Sequence, residues 1–284
     1  MIPLLLIGAV IAVVGYVAIV AIEAIRPPRR AAAWAIANGL PVSPEALGLE
    51  AAEWTLSRDG ASLPVWDIRI RETGPTVVFV HGWGRSRVDS LARIGPFLGV
   101  AGRILLPDLR GHGDATGSTR LGDAREEADL ADLLDRLGGE RPIVLAGHSM
   151  GATLAIRVAG ANRSGRVAAV VAIAPYDSVR TPLRCRLVAR DLPAGPFVDA
   201  TLAALAALGI GRPSTLAVAG SLRVPLLVVA GDADRVVPID ESRRVAEAGR
   251  GEFVAIADGE HSDLDRSEAA GEAIGSFLAR IPVG

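Results

Sequence analysis

The pentapeptide Gly147-His148-Ser149-Met150-Gly151 places a serine between two glycines. A serine hydroxyl is a weak nucleophile at neutral pH unless a neighbouring base takes its proton, and its oxygen must project clear of the backbone to meet a carbonyl carbon. A sharp strand-to-helix turn gives that projection, but only if the flanking positions are small enough to clear the strand and helix on either side. Gly147 and Gly151 meet this condition. "PIVLA" before the pentapeptide has the character of a strand and "ATLAIRVAGA" after it that of a helix, so the context fits as well as the motif.

All 30 basic residues are arginine. The absence of lysine excludes a Schiff-base lysine, a phosphate-loop lysine and a serine–lysine dyad, so a base for Ser149 must be histidine. There are four: His81, His112, His148 and His261. A nucleophile on such a turn is followed in the chain by its acid and then by its histidine, and only His261, in "DGEHSD", lies beyond Ser149. His148 adjoins Ser149 but should point away from its hydroxyl, and His81 and His112 fall in loops after earlier strands. Asp232 and Asp234 in "VVAGDADRVVP" both stand at a strand end from which a carboxylate could reach the second imidazole nitrogen. Asp258 and Asp263, beside His261, read as turn or helix-capping residues.

Acyl transfer also needs donors for the negative oxygen that develops. One is expected from the backbone N–H of Met150 and another from Trp83 in the loop "HGWGRSR", with the Trp83 ring lining an acyl pocket. His81, Gly82, Gly147, His148 and Gly151 are expected to shape the turn and this loop. The histidines show no paired ligand spacing, so neither a metal nor a cofactor is expected. Cys185 is the only cysteine, which excludes an internal disulfide.

These groups need a scaffold. "AEWTLSRDGASLPVWDIRI" alternates as two strands about an Asp59-Gly60 turn. Short apolar runs then recur at 76–80, 103–108, 142–147, 167–175, 225–231 and 253–257, each of strand length and rich in branched residues. Helical patterns separate them, among them "LGDAREEADLADLLDRLGG", in which Ala124, Ala128, Ala131, Leu134 and Leu137 fall near one face. The alternation predicts an α/β fold with a mainly parallel eight-stranded sheet covered on both sides. Residues 176–224 interrupt it with prolines at 182, 193, 196 and 213 and an apolar stretch, "FVDATLAALAALGI", and read as a small helical cap.

Residues 2 to 22 carry no charged side chain, and a helix of this length matches a hydrocarbon core of roughly 30 Å. A single transmembrane helix over 1–25 is expected rather than a signal peptide, because there is no basic amino-terminal region and the run is long. Residues 26–50 read as a juxtamembrane linker in which Trp34 sits either at the headgroups or on the domain, and 51–284 as the globular domain. Arg26, Arg29 and Arg30 follow the span and no basic residue precedes it, which places the domain in the cytoplasm by the positive-inside rule. The formal net charge of -2 offers no field for nucleic acid, so the expected partners are the membrane and a small acyl substrate.

The ordered set "HGWG" (81–84), "PDLRGHG" (107–113), "GHSMG" (147–151), "GDADRVVP" (231–238) and "GEHSD" (259–263) resembles the serine hydrolases of the α/β-hydrolase fold, over about residues 50–284. The resemblance implies a triad of Ser149, Asp234 and His261, since the family's aspartate falls on Asp234, and it implies hydrolysis of an ester or related acyl substrate. Haloalkane dehalogenases and epoxide hydrolases carry aspartate at the elbow, so Ser149 sets the chain apart from them. With its amino-terminal span and small cap it is similar to membrane-anchored members of the serine-aminopeptidase and monoglyceride-lipase-like group. It departs from the pattern at Ala115, where a serine is usual. The same triad serves peptidases, thioesterases and acyltransferases, and a membrane-tethered binding protein with a vestigial site is the non-enzymatic alternative.

Overall fold

The hairpin forms as its turn chemistry dictates. Asp59 and Gly60 both take positive φ, 46° and 70°, which a two-residue hairpin turn needs, and they join β1 (Glu50–Arg58) to β2 (Ala61–Arg69) in antiparallel register. In this computed structural model residues 2–138, 141–161, 165–211 and 214–281 are described. Pro213 of the expected cap and the last three positions of the expected 51–284 domain lie outside them.

Six further strands follow: β3 (Thr76–Val80), β4 (Arg103–Pro107), β5 (Ile143–His148), β6 (Val167–Ile173), β7 (Leu226–Gly231) and β8 (Glu252–Ile256). All eight lie in one sheet, ordered β1-β2-β4-β3-β5-β6-β7-β8 and parallel from β4 to β8. Alternate residues of each central strand feed two separate cores. Val78, Val80 and Leu145 join one, Val77, Phe79 and Val144 the other, which is why these strands are apolar throughout.

Helices cover both faces. On the first lie α5 (Ala124–Arg136), α6 (Met150–Ala161) and α10 (Ile239–Ala248), and on the second α11 (Glu268–Ala279) and the short helices at Arg87–Leu91 and Gly95–Leu98. The buried face of α5 meets the expected one at Leu134 and at Leu137 just past its end, with Ala128 and Ala131 half-buried, but it turns towards Leu130, Leu133, Glu126 and Asp129, which are buried while Ala124 is exposed. The reason is polar. Glu126 closes a capping box with Asp123 and accepts from Thr119, and Asp129 pairs with buried Arg110, so the helix turns its carboxylates inward. Ala115, the departure from the usual serine, is fully buried, and the neighbouring Thr116 accepts the Ser62 N–H at 2.8 Å.

Residues 176–224 hold three helices, α7 (Arg180–Val188), α8 (Pro196–Ala207) and α9 (Thr215–Ala219). Against α8 packs the carboxyl half of the apolar amino-terminal helix, α1 (Ile2–Ile25). Val20 and Ala24 are buried there, and Tyr16 sets its ring edge-on to Phe197 at 5.0 Å and donates its hydroxyl proton to the Pro193 carbonyl at 2.6 Å. The first half of α1 is bare, with Leu4, Leu5, Leu6, Ile7, Val10 and Ile11 exposed, and Leu4–Ile25 is long and apolar enough to cross a membrane. Residues 26–50 are docked rather than extended: a helical turn at Ala32–Ala37 buries Ala35 completely, and Trp34 packs on the second core beneath the Arg30 guanidinium at 4.5 Å.

Candidate active site

Parallel pairing sets the ends of the central strands side by side. Val80 pairs with Gly147, His148 with Ile173 and Gly231 with Ile256, so the loops after β3, β5, β7 and β8 open on one edge of the sheet. Ser149 stands between β5 and α6 with φ at +55°, a left-handed conformation that costs a non-glycine residue and persists because its surroundings impose it. Its N–H donates to the Ile173 carbonyl at 2.7 Å, and its own carbonyl accepts from the N–H and the hydroxyl of Thr153. A methyl group on Gly147 would lie 2.5 Å from the Gly151 carbonyl carbon, and one on Gly151 would overlap the carbonyl oxygens of Val80 and His81. The two glycines are therefore fixed by backbone contact.

His261 follows β8 and is joined to the turn after β7. Its Nδ1 lies 2.7 Å from Asp234 Oδ2, while Asp234 Oδ1 accepts the N–H groups of Val236 and Val237, each at 2.8 Å. Asp232, the other carboxylate at this strand end, is exposed, as are Asp258 and Asp263. Ser149 is 2% exposed and its Oγ has no hydrogen-bond partner among the described residues, so it does not bond the imidazole, although Ser149 and His261 line one cavity. Serine–histidine bonds are often long before substrate binds. The backbone N–H groups of Trp83 and Met150 have no acceptor among the described residues.

The remaining expected residues shape the site. Gly82 lies so close to the elbow that a Cβ would sit 3.2 Å from the His148 carbonyl oxygen and 3.4 Å from Ser149 Cβ. His81 is buried and accepts the Leu109 N–H on Nε2 at 3.0 Å, tying the loop after β3 to the loop after β4. His148 makes no hydrogen bond to the Ser149 hydroxyl and has a role that the sequence does not suggest: its Nε2 bonds the carbonyl of His261 at 2.7 Å. Since a carbonyl only accepts, Nε2 carries the proton. Burial, with the His261 ring beside it, holds the His148 pKa well below the usual value, and the neutral ring supports the His261 loop.

A second support is ionic. Arg93, buried on the second face, donates to the Ser262 carbonyl at 3.0 Å and to Asp89 at 3.1 Å, and pairs with the buried Asp265. Asp89 also takes Arg85 at 2.8 Å. Arg93 and Asp265 are 172 positions apart, so nothing local in the sequence marks them as partners.

Trp83 lines the cavity and binds the amino-terminal helix. Its Nε1 donates to the Ala24 carbonyl at 2.9 Å, satisfying a last-turn oxygen that has no donor within α1. Cys185 is half-buried, and burial raises its thiol pKa, which fits an unreactive residue.

Buried neutral histidines make stability depend on pH. Burial lowers the pKa of His81 to about 4 and of His112 to about 3, whereas each is near 6.5 in the unfolded chain. Between those values the unfolded chain binds more protons, so the stability these groups contribute is present above pH 6.5 and is lost as pH falls towards 4. His112 Nε2 has no partner, which makes this residue the simpler one to replace. In urea unfolding between pH 6 and 4.5, His112→Gln is expected to reduce the slope of stability against pH by about 1.4 kcal/mol per pH unit. An unchanged slope would contradict a neutral His112.

Residues 77–273 match the model of the alpha/beta hydrolase family, and the chain belongs to that family and is a hydrolase. The Bacillus subtilis protein YqkD, itself uncharacterized, is 28% identical over 213 residues, which cover 72% of this chain and 70% of that one. Human protein ABHD12B is 28% identical over 198 residues, covering 66% of this chain and 53% of that one. Among solved structures, the Pyrococcus furiosus esterase Pf2001 superposes with a TM-score of 0.71 at 23% identity, covering 92% of this chain and 98% of that one, and so shares the fold.

Proposed function

We propose that the protein is a membrane-tethered serine hydrolase of carboxylic esters. The observation that carries this reading is the convergence of an oriented Asp234–His261 pair and a strained, unbonded Ser149 on one cavity. Ser149 Oγ forms a bond to the acyl carbon as His261 Nε2 takes its proton, and the Trp83 and Met150 N–H groups hold the oxyanion. The C–O bond to the alcohol breaks, and His261 returns the proton to that leaving oxygen. Water, deprotonated by His261, then attacks the acyl-enzyme and frees the carboxylic acid and Ser149.

The tether is α1. Its last turns are built into the cap through Tyr16, Val20 and Ala24, so removal as a signal peptide would strip a wall from the cavity beside Ser149. Arg26, Arg29 and Arg30 after α1 favour the cytoplasmic side for the domain by the positive-inside rule. A fluorophosphonate probe tests the serine reading: the folded full-length chain in detergent should be labelled at Ser149 with 1:1 stoichiometry, located by peptide mass spectrometry. Folded protein that takes up no probe would favour a non-catalytic, ligand-binding role.

A further inference from the structure

Two cavities meet at Ser149 and differ in chemistry. The first is walled mainly by apolar side chains such as Val20 of α1, Leu121 and Leu183, shares Arg186 and Arg190 with the second but also holds the carboxylate of Glu23, and does not reach His261. The second contains His261, His148 and Gly82 together with Arg30, Arg85 and Arg186, and no carboxylate lines it among the described residues. Because His261 returns its proton to the departing oxygen, the alcohol portion of an ester belongs in the second cavity and the acyl chain in the first.

The arginines of the second cavity are not equivalent. Arg85 and Arg30 both turn to Asp89, at 2.8 and 3.7 Å, and Arg190, which like Arg186 lines both cavities, reaches Glu23 at 3.4 Å. Arg186 has no carboxylate within ion-pairing distance among the described residues, and its guanidinium lies over the Trp83 ring, 4.4 Å from the centroid. Burial lowers its pKa to about 10, so at neutral pH it remains charged while short of hydration. Contact with the ring face leaves the guanidinium N–H groups, the donors that carboxylate and phosphate accept in pairs, without a carboxylate partner among the described residues. A cation so placed gains most from an anion that arrives with the substrate.

We propose that Arg186 is an anion-binding, specificity-determining residue and that the preferred substrates are esters whose alcohol portion carries a phosphate or carboxylate. This rests on the serine-hydrolase reading above. The matched probes are the butyryl esters of glycerol, glycerate and glycerol 3-phosphate, soluble enough that no lipid surface is involved. Wild type should favour the charged esters over the neutral one in kcat/KM by roughly 10- to 100-fold, mostly through KM, as a charge-assisted hydrogen bond allows. Arg186→Gln should collapse that ratio towards one, whereas Arg184→Gln, at an exposed position on the same helix, should keep it. Repeating the series with long-chain esters in detergent separates a lipid headgroup from a soluble phosphate ester as the source of the anion. A wild-type ratio at or below one, or a ratio unchanged by Arg186→Gln, overturns the proposal. Binding of the butyl ether of glycerol 3-phosphate to Ser149→Ala protein, with and without the added Arg186→Gln substitution, reads the same subsite without turnover. Affinity that is at least tenfold tighter when Arg186 is retained supports the subsite even if the hydrolase reading fails; equal affinity overturns it.

Discussion

Ser149→Ala is expected to lower kcat/KM for p-nitrophenyl butyrate by about 10^4-fold or more, because the step that forms the acyl-enzyme then has no nucleophile. What remains is the contribution of the oxyanion donors and of binding, which a hydroxyl-to-hydrogen change does not touch. The loss should appear in kcat, with KM little altered. Thermal unfolding of the variant should be unchanged or improved, since alanine removes a buried hydroxyl that has no hydrogen-bond partner. Turnover above about 1% of wild type in protein free of contaminating esterase would refute Ser149 as the nucleophile.

Asp234→Asn is expected to cost about 10^4-fold in kcat, although it changes one atom. The cause follows from the bonds Asp234 makes. Its Oδ1 accepts two backbone N–H groups, from Val236 and Val237, and Oδ2 receives the proton on His261 Nδ1. An asparagine must turn its single carbonyl oxygen to the two backbone donors and so presents its NH2 to His261. The imidazole can then meet that NH2 only with an unprotonated Nδ1, which moves the ring proton to Nε2, where it faces Ser149 and cannot accept another. Asp232→Asn, at the exposed neighbour, should stay within about twofold of wild type. If the two substitutions had equal effects on p-nitrophenyl butyrate turnover, the orienting role of Asp234 would be wrong.

The strands were largely legible in the sequence because a strand buried on both faces must be apolar at nearly every position, and such runs are hard to mistake. Runs expected at 76–80, 103–108 and 253–257 lie within a residue of β3, β4 and β8. The face of α5 is only partly legible: Leu134 and Leu137 are buried as expected, but apolar periodicity assumes that carboxylates avoid the interior, and Glu126 and Asp129 go inward to partners that come from the loop between β4 and α5. The long apolar run gave α1 its limits but not its neighbours. Its contact with α8 joins positions such as Tyr16 and Pro193, 177 residues apart.

By itself the sequence determined the candidate elbow at Ser149, the order in which a proposed acid and histidine follow it, the one histidine beyond Ser149 and the apolar span. Each is a local pattern or a matter of which residue types are present, and local backbone preference with elimination is enough to read it. The choice of Asp234 over Asp232 came from the resemblance, and the tertiary structure sets Asp234 against His261; only the tertiary structure decided that His148 and Arg93 hold the His261 loop, and that α1 and an Arg186 with no carboxylate partner among the described residues wall the cavity beside Ser149. Those relations depend on which distant segments the sheet and the cap bring together and on which charges are left without a partner once they are buried. That balance exists only after the chain has folded.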